Sequence, residues 1–462
     1  MIGVPPGPPR ERLRVLVSAY ACIPGWGTEP GVGWNVVRMM ARHHDVWVLT
    51  YAGFRRAIEA ELAERPIPGL RFVYHRLPRE HPRHVEEGAG RSGLIEQAHY
   101  YAWQVSGARV ARRLHREVGF DLAHHVTFVK YWAPSALGGL DVPYVWGPVG
   151  GGESAPPAFY ASFSETGRRY EGQRDLARSL AERDPLVRRT ARRAALAFAT
   201  TEETRARMEA IGARNVEVRS GIGLTADEVT ALGRTPPPGD GPVRFLGMGR
   251  LLAFKGYRFG LIAYAAALRE AQSAGDRSLD GSTFWVLGEG PERAALESLV
   301  RELELGERVR LLGHVPREEA LRLLGESHVL VHPSLHESGG GVCLEAMAAR
   351  RPVVCFDLGG SAVHVGPEAG VRVPATTPAP ALAEFATALR ALAACPERRG
   401  WMGAAGHAYV RAHFVWEDKV AWMAGRYRTV VGQGAWGGVG GDGAALARPN
   451  LSDLSEPVLS LR

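Results

Sequence analysis

Lysine is almost missing from this chain. Of 56 basic residues only Lys130, Lys255 and Lys419 are lysines, so the formal net charge of +7 is carried by arginine. No helix-turn-helix, zinc or RNA-binding signature accompanies that charge, which sets nucleic-acid binding aside. Cysteine is scarce as well. Cys22, Cys343, Cys355 and Cys395 form no Cys-x-x-Cys pair and no metal-ligand spacing, which excludes a disulfide scaffold and a structural zinc site. They are expected to be buried thiols in a reducing compartment. Long apolar runs are absent: none reaches the ~18 residues of a membrane span. The proline-rich start also lacks the apolar core of a signal peptide. The expected location is therefore cytoplasmic.

What is present is an alternation. At 462 residues the chain exceeds the length at which one core stops growing, so two domains are expected. Short apolar runs at residues 13–20, 45–51, 71–77, 121–128, 143–150 and 194–201 alternate with helical patterns. The same alternation resumes at 243–250, 283–290, 309–315, 329–335 and 352–358. This is the pattern of doubly wound parallel sheets, so the expected fold is α/β, two Rossmann-like domains facing a central cleft. The proline–glycine break "GRTPPPGDGPVRF" places the boundary near residue 238. The expected division is one Rossmann-like domain over 12–238, a second over 239–395, helices crossing back over 396–431, and a glycine-rich disordered tail over 432–462.

Two acids, Glu337 and Glu345, flank a glycine triplet in the second half. "VLVHPS" reads as a buried strand and "VCLEAMAAR" as a helix, so Gly339, Gly340 and Gly341 fall in the loop and the first helical positions. Exposed N–H groups at a helix start favour a phosphate, and residues without Cβ let a ligand approach the backbone. Ser338 shares the loop. Glu337 is placed to accept hydrogen bonds from hydroxyls, and Glu345 to stay ionised in the first turns of the helix. A solvated Glu337 and a decorative Glu345 are the competing reading. "FLGMGRLLAFKGY" carries Arg250 and Lys255 to the carboxyl end of another strand, where α/β sheets bind ligands. A planar fork and a compact point charge together suit a diphosphate.

The stretch from about 243 to 358 resembles the nucleotide-sugar domain of family 4 glycosyltransferases, which have the GT-B fold. The resemblance rests on Arg250, Lys255, "VLGEGPER", "HVPREEAL" and the spaced Glu337/Glu345 pair. It implies that Glu337 contacts the donor sugar and Glu345 the nucleotide ribose. Arg250 and Lys255 are implied to bind the diphosphate and offset leaving-group charge. It further implies transfer with retention of α configuration, with no cofactor and no metal. In the first half, "PGWGTEPGVGWN" resembles the family's first glycine loop, with Gly31 and Gly33 near the donor phosphates. "FDLAHHVTFVKYW" places His124 and His125 where the family often carries a histidine facing the donor sugar. The Asp-x-x-His spacing from Asp121 favours His124, but Val126 replaces the family's second histidine and the two histidines remain competitors. They point to opposite faces of a strand, so only one faces the cleft. "WGPVGGGE" adds a second glycine loop without an assignable role.

The expected partners are a nucleoside diphosphate sugar and a carbohydrate, glycolipid or small-molecule acceptor. The arginine-dense residues 168–193 read either as a solvated helical face or as a surface for anionic lipid headgroups. Two further functional readings stand beside sugar transfer. One is a sugar-nucleotide epimerase of the same fold, which needs no acceptor; the other is a nucleotide-sugar-binding protein without turnover.

Overall fold

The structure, a computed structural model, describes residues 11–26, 29–77, 94–128 and 130–432. The expected tail from 433 onward lies outside the described residues. In the first half β1 (Arg14–Ser18), β2 (Asp45–Tyr51), β3 (Leu70–His75), β4 (Leu122–His125), β5 (Tyr144–Val149), β6 (Leu196–Ala199) and β7 (Val216–Val218) form one sheet, in the order β3-β2-β1-β4-β5-β6-β7. In the second, β8 (Arg244–Met248), β9 (Thr283–Leu287), β10 (Val309–Gly313), β11 (Val329–His332), β12 (Val353–Phe356) and β13 (Gly370–Val373) form another, in the order β10-β9-β8-β11-β12-β13. Each pairing is parallel. The expected α/β architecture is therefore found, and each sheet reverses its strand order beside its first strand. Ligands of such sheets bind at that reversal, outside the strands' carboxyl ends.

The first-half helices are α1 (Glu29–Met40), α2 (Arg55–Glu64), α3 (Leu94–Val118), α4 (Glu165–Ala181), α5 (Pro185–Arg193) and α6 (Glu202–Ala210). They are followed by α7 (Ala226–Gly233), α8 (Tyr257–Ser273), α9 (Arg293–Glu302), α10 (Arg317–Gly325), α11 (Gly341–Ala348), α12 (Gly359–His364), α13 (Pro378–Ala394), α14 (Pro396–His413) and α15 (Trp416–Gly432). No described helix is long and apolar enough to cross a membrane.

Period-two alternation distributes the strands between apolar layers. On β1, Leu16 packs with Trp103 and Trp146, whereas Val15 and Val17 pack with Val36, Val37 and α15. On β8, Phe245 faces the layer of α8 and α13, and Leu246 the layer of α11. Three segments depart from a simple division of the chain at 238. Leu224, Val229 and Leu232 pack with Leu344, Met347 and Val353, so α7 serves the second sheet. Ala155, Phe159 and Phe163 lie in the same cluster as Phe259 and Phe356. Of the two C-terminal helices only α15 returns to the first half, through Trp416, Val420, Met423 and Tyr427. The proline–glycine break comes after the change of packing because α7 has already docked. The chain passes between sheets at 219–224, and again beside it at 414–416, where Leu224 N–H donates to Phe414 O at 2.9 Å and Trp416 N–H to Leu224 O at 2.9 Å.

Candidate active site at the second switch point

The β8 carboxyl end runs into a tight turn, Ala253–Lys255, closed by Gly256 in the left-handed region at φ 71°. A Cβ at Gly256 would lie 1.9 Å from the Pro333 carbonyl oxygen, so only glycine lets the turn sit on the end of β11. Leu335 N–H donates to Phe254 O at 2.8 Å and Ser334 Oγ–H to the same oxygen at 3.3 Å. Stitched together in this way, the two loops bring the Lys255 ammonium into an ion pair with Glu337. Burial alone would raise the Glu337 carboxyl, but Lys255 beside it holds it down at about 2. His332 Nε2 lies 3.8 Å from Glu337 Oε2 and has no hydrogen-bond partner. Burial lowers the pKa of this imidazole to about 4, so it is neutral at neutral pH. Lys255 and Glu337 were expected at separate parts of a ligand; the structure places them against one another.

Gly340 caps α11 at φ 88°. A Cβ there would stand 3.4 Å from Glu337 Cγ and 3.7 Å from His364 Nδ1, so the helix start, the carboxylate and a second histidine converge. His364 Nε2 is hydrogen-bonded to Ser220 Oγ at 2.8 Å, and burial takes its pKa to about 3. The first turn of α11 thus presents Gly341 N–H beside Gly339 and Gly340, as the glycine triplet predicts. Glu345, four residues on, is 9% exposed and pairs with Arg317 of α10. The expectation that the helix start keeps it ionised needs correction. Burial raises its pKa, and Arg317 only partly opposes the shift.

Arg250 stays exposed at the end of β8 and acts on Glu96 of α3, across the cleft. Glu96 is raised by burial, with Lys130 and then Arg250 lowering it. Lys130 is capped by the rings of Phe128 and Trp132, at 5.5 and 5.6 Å. The three lysines of this arginine-rich chain therefore all lie between the sheets: Lys130 beside Glu96, Lys255 on Glu337, and Lys419 donating to the carbonyls of Ser220 and Ile222 in the crossing segment.

Four first-half expectations change. His124 Nε2 bonds Gly147 O at 2.6 Å and its Nδ1 bonds the Tyr427 hydroxyl, so the returning α15 covers it. His125 Nε2 meets Tyr100 OH at 3.2 Å inside the first core. Burial lowers these imidazoles to about 4 and about 3, and their polar contacts lie with the first half and α15 rather than with Lys255 and Glu337. Gly31 and Gly33 belong to α1, not to a loop. A Cβ on them would strike Trp26 O at 1.6 Å and Ala21 O at 2.3 Å, so close packing of the helix on the chain already requires both glycines.

The first half nevertheless reaches the site through residues without an assigned role. Glu153, at the end of "WGPVGGGE", accepts from Ser338 Oγ at 2.5 Å, and Glu171 of α4 meets His336 Nε2 at 2.9 Å. The hydroxyl of Ser338 is thereby committed to the protein instead of a donor. The signal was a mirror composition: an acid beside three glycines in each half. Arg174 and Arg178, expected on an outward basic face, turn inward to Gly151 O at 3.1 Å and to Gly152 O and Glu153 O at 3.3 Å. Among the described residues no three His, Cys, Asp or Glu side chains gather as a metal site.

Two Rossmann-type parallel sheets in one chain are the GT-B architecture, and here a cation–carboxylate pair stands at the second switch point. HepE from Anabaena, solved in complex with UDP and glucose, superimposes with a TM-score of 0.53 over 90% of this chain and 100% of that one, at 16% identity. Residues 242–394 match the sequence profile of the family "Glycosyl transferases group 1". The chain is 30% identical to 2-deoxystreptamine N-acetyl-D-glucosaminyltransferase of Streptomyces fradiae over 315 residues, 65% of this chain and 68% of that protein. It is 37% identical to 2-deoxystreptamine glucosyltransferase of Streptomyces kanamyceticus over 119 residues, 26% of this chain. That second match spans only 29% of the relative's length. The chain belongs to the group 1 glycosyl transferases.

Proposed function

We propose that this enzyme is a family 4 transferase that moves a sugar from a nucleoside diphosphate to a hydroxyl of a carbohydrate or aminocyclitol acceptor, with retention of α configuration and without a divalent metal. The observation that carries this reading is the Lys255–Glu337 pair at the start of α11. Charge develops on the departing diphosphate in the transition state. Lys255, Arg250 and the Gly341 N–H are the groups that oppose it, and they are preorganised by the loops that hold them. Glu337, kept ionised by Lys255, accepts hydrogen bonds from sugar hydroxyls; Glu345 accepts from the ribose. Neither works as a glycosidase acid, since one is held at about 2 and the other is tied to Arg317. The acceptor enters beside Lys130 and Glu96, on the first-half side of the cleft.

The same reading includes a resting place on anionic lipid, at an inner membrane face. Leu176 and Leu180 of α4 are each 62% exposed, Leu186 of α5 is 41% exposed, and Arg169, Arg183, Arg188, Arg189 and Arg192 of the same stretch are exposed as well. A thermal-shift screen of nucleoside diphosphates and nucleotide sugars, followed by product analysis with and without acceptor, tests the assignment. Stabilisation by a nucleoside diphosphate together with acceptor-dependent release of the nucleotide supports it. Turnover of a nucleotide sugar to an isomer without acceptor would reject it.

A further inference from the structure

The Glu337 loop is held from both sides by carboxylates of the other half of the protein. Side chains take opposite sides along the 336–338 loop. His336 and Ser338 turn toward the first half, and Glu337 between them turns the opposite way, to Lys255. His336 is clamped between Glu171 at 2.9 Å and the ring of Phe254, stacked at 4.2 Å between centroids. Ser338 Oγ donates to Glu153 Oε2 at 2.5 Å and accepts from Gly151 N–H at 3.0 Å.

The two anchors are themselves fixed. Glu153 Oε1 accepts from Thr201 Oγ1 at 2.7 Å and Thr204 Oγ1 at 2.8 Å. Burial would raise its carboxyl, but these hydroxyl donors and Ser338 bring the net shift downward. Glu153 and Glu171 are each only 2% exposed. Arg174 lies 3.7 Å from Glu171 and also binds the Gly151 carbonyl, so one arginine links the two anchors. Neither Glu153 nor Glu171 makes a hydrogen bond or ion pair with Arg250, Lys255 or Gly341; both reach the diphosphate set only through the 336–338 loop.

From this arrangement we infer that Glu153 and Glu171 are positioning residues for sugar transfer. They aim the Glu337 carboxylate from across the cleft, so that the sugar subsite is complete only when the two halves are engaged. The inference rests on the donor reading given above. A carboxylate misplaced by about 1 Å costs a reaction about a hundredfold while leaving binding at the nucleotide intact. Sugar recognition is thereby made conditional on the first half, which also holds the acceptor.

The test compares Glu153→Gln, Glu171→Gln and the milder Ser338→Ala with the full-length wild type. Titration calorimetry with UDP and with UDP-glucose reports the nucleotide affinity and the extra affinity supplied by the sugar; kcat is followed with the sugar nucleotide that supports transfer. The expected result is UDP affinity within about twofold of wild type, loss of the sugar increment, and kcat lower by about tenfold to a hundredfold. Ser338→Ala added to Glu153→Gln should cost little more than either alone, because both break one contact. A purely structural role would lower UDP affinity and melting temperature together. That result, or variants that keep both the sugar increment and kcat, overturns the positioning role. A wild type that binds UDP and UDP-glucose equally and transfers from no sugar nucleotide would instead reject the donor reading, and this inference with it.

Discussion

At the residue scale the chemistry turns on one lysine. Glu337 is largely enclosed, its side chain 16% exposed, and the neighbouring ammonium is the largest influence keeping it ionised. Lys255→Ala should therefore do two things at once: remove a charge that opposes the leaving diphosphate, and leave a largely enclosed carboxylate unpaired. Turnover should fall by about a hundredfold to a thousandfold, with a lowered melting temperature that Glu337→Gln in the same chain partly restores. A Lys255→Ala enzyme with wild-type kcat would remove Lys255 from the mechanism. The two acids should also separate by pH. The Glu337 pKa lies below its unfolded value, so its contribution to stability is complete above the usual carboxylate range and disappears only as pH falls through about 2. The acid limb of donor binding then belongs to Glu345, which burial raises and which must be ionised to accept from ribose hydroxyls. Donor KM should rise as pH falls from neutrality into the acid range, and Glu345→Gln should flatten that rise; an unchanged limb in the variant would assign it elsewhere. Because Arg250, Lys255 and backbone N–H groups can balance the diphosphate, transfer should persist in excess chelator. Activity lost on chelation and regained with a divalent ion at fixed ionic strength would contradict the metal-free proposal. The positions of Lys255, Glu337 and Glu345 at strand ends and a glycine-started helix were legible from their spacing, but the pairing of Lys255 with Glu337 was not. The surroundings of His124 and His125 were not legible either, since one face of β4 is covered by Tyr427, 303 positions away, and the other by Tyr100 of α3.

At the scale of elements, eleven strands were legible as apolar runs, and the two that escaped have a physical reason in common. β7 is three half-buried residues and β13 is four residues opening on glycine, each at the far edge of its sheet, where burial no longer demands a continuous apolar run. Residues 168–193 were legible as helical but not in their division of labour. One face of α4 supports the site through Glu171, Arg174 and Arg178, whereas the other carries Leu176 and Leu180 among exposed arginines. Helical spacing places both faces in one run of sequence, and the inward arginines look identical to the outward ones. The outward face yields its own prediction. Wild type should cosediment with vesicles containing anionic lipid and be released as salt is raised, while Leu176→Glu with Leu180→Glu should abolish binding and leave transfer to a water-soluble acceptor unchanged. Equal sedimentation with neutral and anionic vesicles would argue against a headgroup-directed surface.

At the scale of the whole molecule the two sheets are not two separable bodies in sequence. The second sheet's cores take Leu224, Val229 and Leu232 from before the proline–glycine break, and Ala155, Phe159 and Phe163 from deep within the first half. The first sheet takes α15 from the far end of the chain. Lys419 sits where these exchanges meet, donating to Ser220 O at 2.8 Å and to Ile222 O in the crossing segment. A fragment cut at the break should fail for this reason. Starting at residue 239, it exposes the surface that α7 covers and loses the aromatic plug at Phe159. At about 2 kcal/mol for each buried apolar side chain the loss is roughly 10 kcal/mol, as large as the total stability of an ordinary domain. The fragment 239–432 should lack a cooperative thermal transition and near-ultraviolet circular dichroism. Extending it back to residue 219 restores the α7 contacts and should recover part of both signals; the full chain should show one transition in which sugar-site and nucleotide-site probes melt together. If 239–432 melts cooperatively within a few degrees of the full chain, the shared cores are not needed for the second sheet. The halves would then be independent units, and Glu153 and Glu171 would be contacts made on closure rather than parts of one framework.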